Sequence, residues 1–338
     1  TGTGRYWNPD LGDWQDDWLW YDATVPDPAP PTSAWSFTFD PAGTDGSGLY
    51  RVTAFAWDGT GTKDPEGHRV RFTSDTDGPN DWSLVWSDEF DGPGLDPSRW
   101  KAFTGEYGTP YRDQYYTARP DNVRVEDGAL VLEAHDETWG ARQHTSGMVV
   151  SNDASLPAVG ATRGNLSWRY GRFEVRARTP DVAGVWPAFW LRPADSVYGP
   201  WPRSGEIDIL EYAGPTPQGH QHPLGRFFSA ALHTWDPSVD GTGGSKKHEG
   251  VRPVDAAFFD EFHTFAVEWE PDRFRWYLDG ELFHTADRDW LAPGASFPAP
   301  FDQPFFITLN LQLDGYAGPV ADEQLPASFE IDWVRVYQ

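Results

Sequence analysis

Three carboxylates stand close together in Ser204-Gly-Glu-Ile-Asp-Ile-Leu-Glu-Tyr212, and their spacing suits chemistry that needs paired acids. Successive side chains on a strand point to opposite faces, so Glu206 and Asp208 share one face while Ile207 and Ile209 take the other, toward a core. Strict alternation would then bury Glu211, an ionisable group without a partner, at a large desolvation cost. One extra residue removes the conflict: a β-bulge near Ile209-Leu210 returns Glu211 to the side of Glu206 and Asp208.

With that residue absorbed, Glu206 and Glu211 lie about four strand positions apart, or ~13 Å between Cα atoms at ~3.3 Å per position. Two glutamates leaning together can close most of this, toward the ~5–5.5 Å carboxyl separation of a retaining glycosidase. One carboxylate then attacks an anomeric carbon and the other protonates the leaving oxygen. Asp208, between them, can share a proton with Glu206, and the clustered charge should raise the pKa of whichever carboxyl acts as acid. Three acids on a strand are also compatible with a metal site or with a solvated edge. Against the edge stand Ile207, Ile209 and Leu210, which mark a buried central strand.

The rest of the chain supplies strands to hold this one. Trp35-Ser-Phe-Thr-Phe39, Tyr50-Arg-Val-Thr-Ala-Phe55, Phe173-Glu-Val-Arg-Ala177 and Phe265-Ala-Val-Glu-Trp269 alternate apolar residues, helical periodicity is almost absent, and an all-β sandwich is expected. Thr73–Asp81 holds no core former and separates residues 1–78 from residues 83–338. The first segment reads as a small immunoglobulin-like β-sandwich. It would serve as a spacer or stabilising module, with carbohydrate binding through Trp7, Trp14, Trp18 and Trp20 as the alternative.

Composition narrows the partners. A net charge of −26 leaves no basic face for a phosphate backbone, so nucleic acid is not expected. No apolar run is long enough for a membrane span. The chain has no cysteine, and its start, Thr1-Gly-Thr-Gly, lacks a charged and apolar leader, so a processed, secreted, monomeric protein is expected. The 19 tryptophans offer flat faces on which sugar rings can stack.

The Glu-x-Asp-x-x-Glu pattern of residues 206–211 resembles the signature of glycoside hydrolase family 16, a concanavalin-like β-jelly roll. The resemblance extends through Trp86-Ser-Asp-Glu-Phe-Asp-Gly92, Tyr170–Arg178, Val185-Trp-Pro-Ala-Phe-Trp190, Phe262–Trp269 and Asp332-Trp-Val-Arg-Val-Tyr337, in the family's order over residues 83–338. It implies an endo-acting retaining hydrolase with Glu206 as nucleophile, Asp208 assisting it and Glu211 as general acid and base. It also implies Trp186, Trp201, His233, Asn122 and Gln312 as substrate-binding residues. Catalysis would need no cofactor. A structural calcium ion would sit on Glu89, the carbonyl of Gly128 and Asp332.

The bulged spacing resembles the laminarinase, agarase and carrageenase branches and departs from the lichenases. Phrases such as Trp201-Pro-Arg-Ser-Gly-Glu206 and Leu309-Asn-Leu-Gln312 look most like the β-1,3-glucanases. Met148 stands where a basic residue is expected, and Asp314 falls where a glycine pair is more usual. A β-1,3-glucan is therefore the expected polysaccharide, with galactan-type polymers, or a non-catalytic carbohydrate-binding role, as alternatives. His220-Gln-His222 has two-on-one-face spacing but no third ligand beside it. His263, inside an apolar strand, reads as structural.

Overall fold

The computed structural model describes residues 82–107, 113–152, 166–214, 226–239, 243–287, 290 and 297–338, together with four short strands nearer the N-terminus. Those four form two antiparallel pairs, Tyr6–Asn8 with Asp13–Gln15 and Val52–Thr53 with Arg69–Val70. The expected immunoglobulin-like module otherwise lies outside the described residues, as does His220-Gln-His222. The chain divides into two compact units, Thr1–Ser83 and Leu84–Gln338.

The second unit is a jelly-roll sandwich of two sheets. The seven-stranded sheet runs Gly244–Pro253, Phe227–Asp236, Glu206–Glu211, Val185–Pro193, Phe305–Leu313, Met148–Val150, Lys101–Ala102. The ten-stranded sheet has Gly171–Arg178 and Ala327–Tyr337 at its centre, flanked by His263–Trp269 and Ala129–Trp139. Runs of consecutive strands, such as Val185–Pro193, Glu206–Glu211, Phe227–Asp236 and Gly244–Pro253, are joined to strands distant in sequence; Val185–Pro193 pairs along its whole length with Phe305–Leu313.

Alternation decides what lies between the sheets. Phe189, Leu191, Ile207, Leu210, Leu232, Ile307, Leu309 and Leu311 from one sheet meet Leu132, Phe173, Val175, Val267, Ile331 and Val334 from the other in one buried cluster. Each such side chain taken out of water contributes about 1.5–3 kcal/mol. The intervening residues of the seven-stranded sheet, among them Trp186, Ala188, Trp190 and Arg192 on one strand and Thr308, Asn310 and Gln312 on its neighbour, share the opposite face. That face carries the acids.

Candidate active site

The strand Glu206–Glu211 lies third in its sheet, between Val185–Pro193 and Phe227–Asp236. Against the first neighbour the pairs are Leu191↔Ile207, Trp190↔Asp208, Phe189↔Leu210 and Ala188↔Glu211. Against the second they are Glu206↔His233, Asp208↔Ala231 and Glu211↔Ser229. Both ladders slip by one residue between Asp208 and Glu211, which is the bulge that the spacing of the acids requires. Ile209 and Leu210 are both buried in the core, and all three acids face away from it.

Local structure fixes the entry to this strand and the start of its bulge. Gly205 enters it at φ +82°, and a Cβ there would lie 2.9 Å from the Phe301 ring, so the position needs glycine. Ser204 accepts from the Tyr198 backbone N–H at 3.0 Å and donates to the Gly199 carbonyl at 2.7 Å, which pins the preceding turn. Across the sandwich, Trp276 Nε1 donates to the Asp208 carbonyl at 2.9 Å, fastening the start of the bulge to the other sheet.

The acids are held in a nearly dry setting. Asp208 is buried, and Glu206 and Glu211 are only partly open to solvent. Burial, and then the Asp208 charge, push the Glu206 and Glu211 carboxyls up to about 8, while burial pushes Asp208 up to about 7. The three titrate as a coupled set, and the direction follows from geometry: three carboxylates on one dry face cannot all be ionised. The set therefore retains a proton near neutrality, which general acid catalysis requires.

Other side chains of the face complete the cleft floor. His233 Nε2 lies 3.3 Å from Asp208 Oδ2 and 3.9 Å from Glu206 Oε1, and its Nδ1 is 3.2 Å from Ser245 Oγ. Trp186 Nε1 donates to Glu211 Oε1 at 3.1 Å. Gln312 is the cross-strand partner of Trp186, and its buried amide nitrogen has no hydrogen-bond partner. Trp201 is 59% exposed and its ring lies 6.1 Å from that of His233. Four of the five residues expected to bind substrate thus line or border the acid face.

Asn122 does not. It is fully buried, its amide nitrogen donates to the Glu133 carbonyl at 3.0 Å and to Thr145 Oγ1 at 3.1 Å, and its oxygen accepts from Thr117 and Arg119. Every polar atom of the side chain is committed to the fold, so the expectation of substrate contact is corrected. Met148 is likewise buried, in an apolar group with Phe103, Tyr116, Val150 and Phe306. Asp314 takes φ 62° where the chain leaves the strand Phe305–Leu313. His263 is tied to Asp279 at 2.6 Å and to the Phe258 carbonyl at 2.9 Å, a structural role as expected.

Of the residues expected to hold calcium, Asp332 lies in the ten-stranded sheet, Glu89 follows its strand Leu84–Asp88, and Gly128 lies in the turn between two of its strands. Both Glu89 oxygens accept from Arg335, at 3.0 and 2.9 Å, and Asp332 accepts from Arg176 at 2.5 Å. Gly128 sits in the turn before Ala129 with φ +75°. Arg335 and Arg176 thus partner these two carboxylates in the structure. Trp276 and Arg192 escaped sequence reasoning. Arg192 had a signal, because alternation places it on the face of Trp186 and Trp190.

Comparison with known proteins agrees with this site. A family model described as the GH16 domain of β-porphyranases A–D matches residues 82–338. The chain is 38% identical to a β-glucanase of Rhodothermus marinus over 267 residues, covering 76% of this chain and 85% of that protein. It is 29% identical to a keratan-sulfate endo-1,4-β-galactosidase of Sphingobacterium multivorum, covering 76% of this chain and 56% of that one. The solved laminarinase of Rhodothermus marinus superposes with a TM-score of 0.64 over 76% of this chain and 97% of its own. Sequence motifs, sandwich, bulged acid strand and relatives agree, and the chain belongs to glycoside hydrolase family 16.

Proposed function

We propose that this protein is an endo-acting, retaining glycosidase that hydrolyses β-1,3-glucan. The observation that carries the reaction type is the bulged strand, which sets Glu206, Asp208 and Glu211 on one partly dry face. Glu206 attacks the anomeric carbon while Glu211 gives its proton to the departing glycosidic oxygen, so one C–O bond forms as another breaks. Glu211 then takes a proton from water, whose oxygen displaces Glu206 and frees the sugar. Two inversions leave the anomeric configuration unchanged. Asp208 and His233 hold the nucleophile's surroundings, and the Trp186 N–H orients Glu211.

The glucan assignment is supported by the names of the more similar relatives, a β-glucanase and a laminarinase. A β-linked galactan is the second reading. It is favoured by the family model and by the galactosidase relative. Incubation with laminarin, lichenan, agarose, carrageenan and β-1,3-galactan, followed by chromatography of products, separates the two. Oligosaccharides of mixed length from laminarin support the first reading; release from a galactan alone supports the second.

Polysaccharides do not cross membranes, which supports a secreted, extracellular enzyme; in this reading it acts as a monomer, with residues 1–78 as an accessory module. Calcium at Glu89, Gly128 and Asp332 would share these carboxylates with Arg335 and Arg176 or displace them. Dialysis against EDTA tests it: a fall in Tm that added calcium restores supports the ion, and an unchanged Tm leaves the arginines as the partners of both carboxylates.

A further inference from the structure

The two glutamates are the same residue type on the same strand, yet the reaction needs one ionised and the other protonated. Their cross-strand neighbours differ. Glu211 is opposite Ala188 on one side and Ser229 on the other, both small and uncharged. Glu206 is opposite His233 on one side. On the other side the ladder Trp190↔Asp208, Leu191↔Ile207 leads on to Arg192, the next residue on the acid face. Directly opposed side chains of an antiparallel pair have Cβ atoms about 4.5–5.5 Å apart.

The guanidinium of Arg192 is held in an unusual way. It lies 4.9 Å from the Tyr107 ring, 5.1 Å from Trp190 and 4.9 Å from Phe306, and its Nη1 donates to the Tyr107 hydroxyl at 2.5 Å. Its Nε and Nη2 are buried without a hydrogen-bond partner. Among the described residues no carboxylate forms an ion pair with it, whereas Arg172, Arg176, Arg178 and Arg335 of the other sheet all have one. A buried cation without a counter-charge is costly. The aromatic cage returns part of that cost through cation–π attraction and fixes the charge beside the acid strand. The Phe306 ring belongs to the buried apolar cluster around Met148, and the Tyr107 ring packs against that cluster.

We propose that Arg192 is a positioning residue that assigns the catalytic roles, its caged charge holding Glu206 as the ionised nucleophile and leaving Glu211 to carry the proton. This rests on the retaining mechanism proposed above. The charged and titratable groups around Glu206 are Asp208 and Glu211 on its own strand, His233 on one neighbour and Arg192 on the other. Of these, His233 and then Arg192 draw its pKa down, against burial and the two acids; His233 acts on both glutamates, Arg192 on Glu206 alone. Around Glu211 the groups are Asp208, His233, and Lys247 with its partner Glu249; Arg192 is not among them.

The test is the pH profile of kcat/KM on laminarin for the wild type, Arg192→Met and Arg192→Lys. Methionine keeps an apolar stem among the three rings and removes the charge. The expected result is an acidic limb displaced upward by about one pH unit in Arg192→Met, or about tenfold lower kcat/KM on that limb, with the basic limb unmoved. Arg192→Lys, which keeps the charge, should return the limb toward its wild-type position. An acidic limb that stays in place, or two limbs that move together, would overturn the proposal. If Arg192→Met does not fold, Arg192→Gln, also uncharged, takes its place: an acidic limb displaced upward supports the role of charge, and an unmoved one contradicts it. Trapping the wild type with a 2-deoxy-2-fluoro glycoside and mapping the labelled peptide separates the two levels. A label away from Glu206 defeats the mechanism itself, while a label on Glu206 with an unmoved limb defeats only the role of Arg192.

Discussion

The outward faces of the two sheets carry the same acidic residues and use them in opposite ways. On the ten-stranded sheet the acids meet arginines: Glu174 and Glu268 on Arg172 at 2.8 and 3.3 Å, Glu330 on Arg178 at 2.8 Å, and Glu133 on Arg124 at 2.9 Å. On the seven-stranded sheet, Glu206, Asp208 and Glu211 have an imidazole and an indole N–H instead, and the nearby Arg192 gives them charge at a distance without an ion pair. A carboxylate clasped by a guanidinium stays ionised and holds strands together. One that is dry and unclasped can gain and lose a proton at working pH, which is a cost to the fold and the basis of the chemistry.

The most drastic way to break the contrast is Glu206→Gln. Turnover should fall at least about a thousandfold, because an amide cannot form the covalent intermediate, while circular dichroism stays native. The same variant should be the more stable protein at high pH. Burial raises the coupled set of acids to about 7–8 in the folded chain, so the stability its proton supports is full below the ordinary carboxylate range and is lost as pH rises through about 8, where the variant carries one buried negative charge fewer. Tm of Glu206→Gln should therefore match the wild type at pH 4 and exceed it at pH 8. Equal Tm values at both would remove the claim that this acid is strained by burial.

On the other sheet, Arg172→Met leaves buried Glu174 and Glu268 without that cation, and such a loss costs about 3–5 kcal/mol. Denaturant unfolding should show it, and kcat per folded molecule should stay unchanged. The smallest effect is expected from Trp186→Phe, which keeps a ring and deletes the N–H to Glu211. A lost hydrogen bond of about 0.5–1.5 kcal/mol corresponds to roughly two- to twelvefold in kcat/KM, with little change in Tm.

How far the sequence could be read follows the range of the interactions. The acids and their bulge were legible because both depend on side-chain parity over six residues of a single strand. The sandwich was legible from alternation repeated along the chain. Strand order was not, since neighbours such as Val185–Pro193 and Phe305–Leu313 are joined only by the fold. For the same reason Trp276, 68 residues beyond the Asp208 carbonyl it binds, gave no sign of its role. Asn122 misled in the opposite direction. Its amide is consumed by Glu133 and Thr145, partners that strand pairing alone brings to it. Gln312 lies on the acid face because it pairs with Trp186 across one ladder, a partner that only the fold supplies.

The central claim is that two glutamates on one bulged strand perform a double displacement. The most direct test is time-resolved proton NMR of the reducing end first released from laminarin oligosaccharides, before mutarotation mixes the anomers. The initial product should be the β-anomer. An initial α-anomer would show a single inversion and would contradict Glu206 as nucleophile.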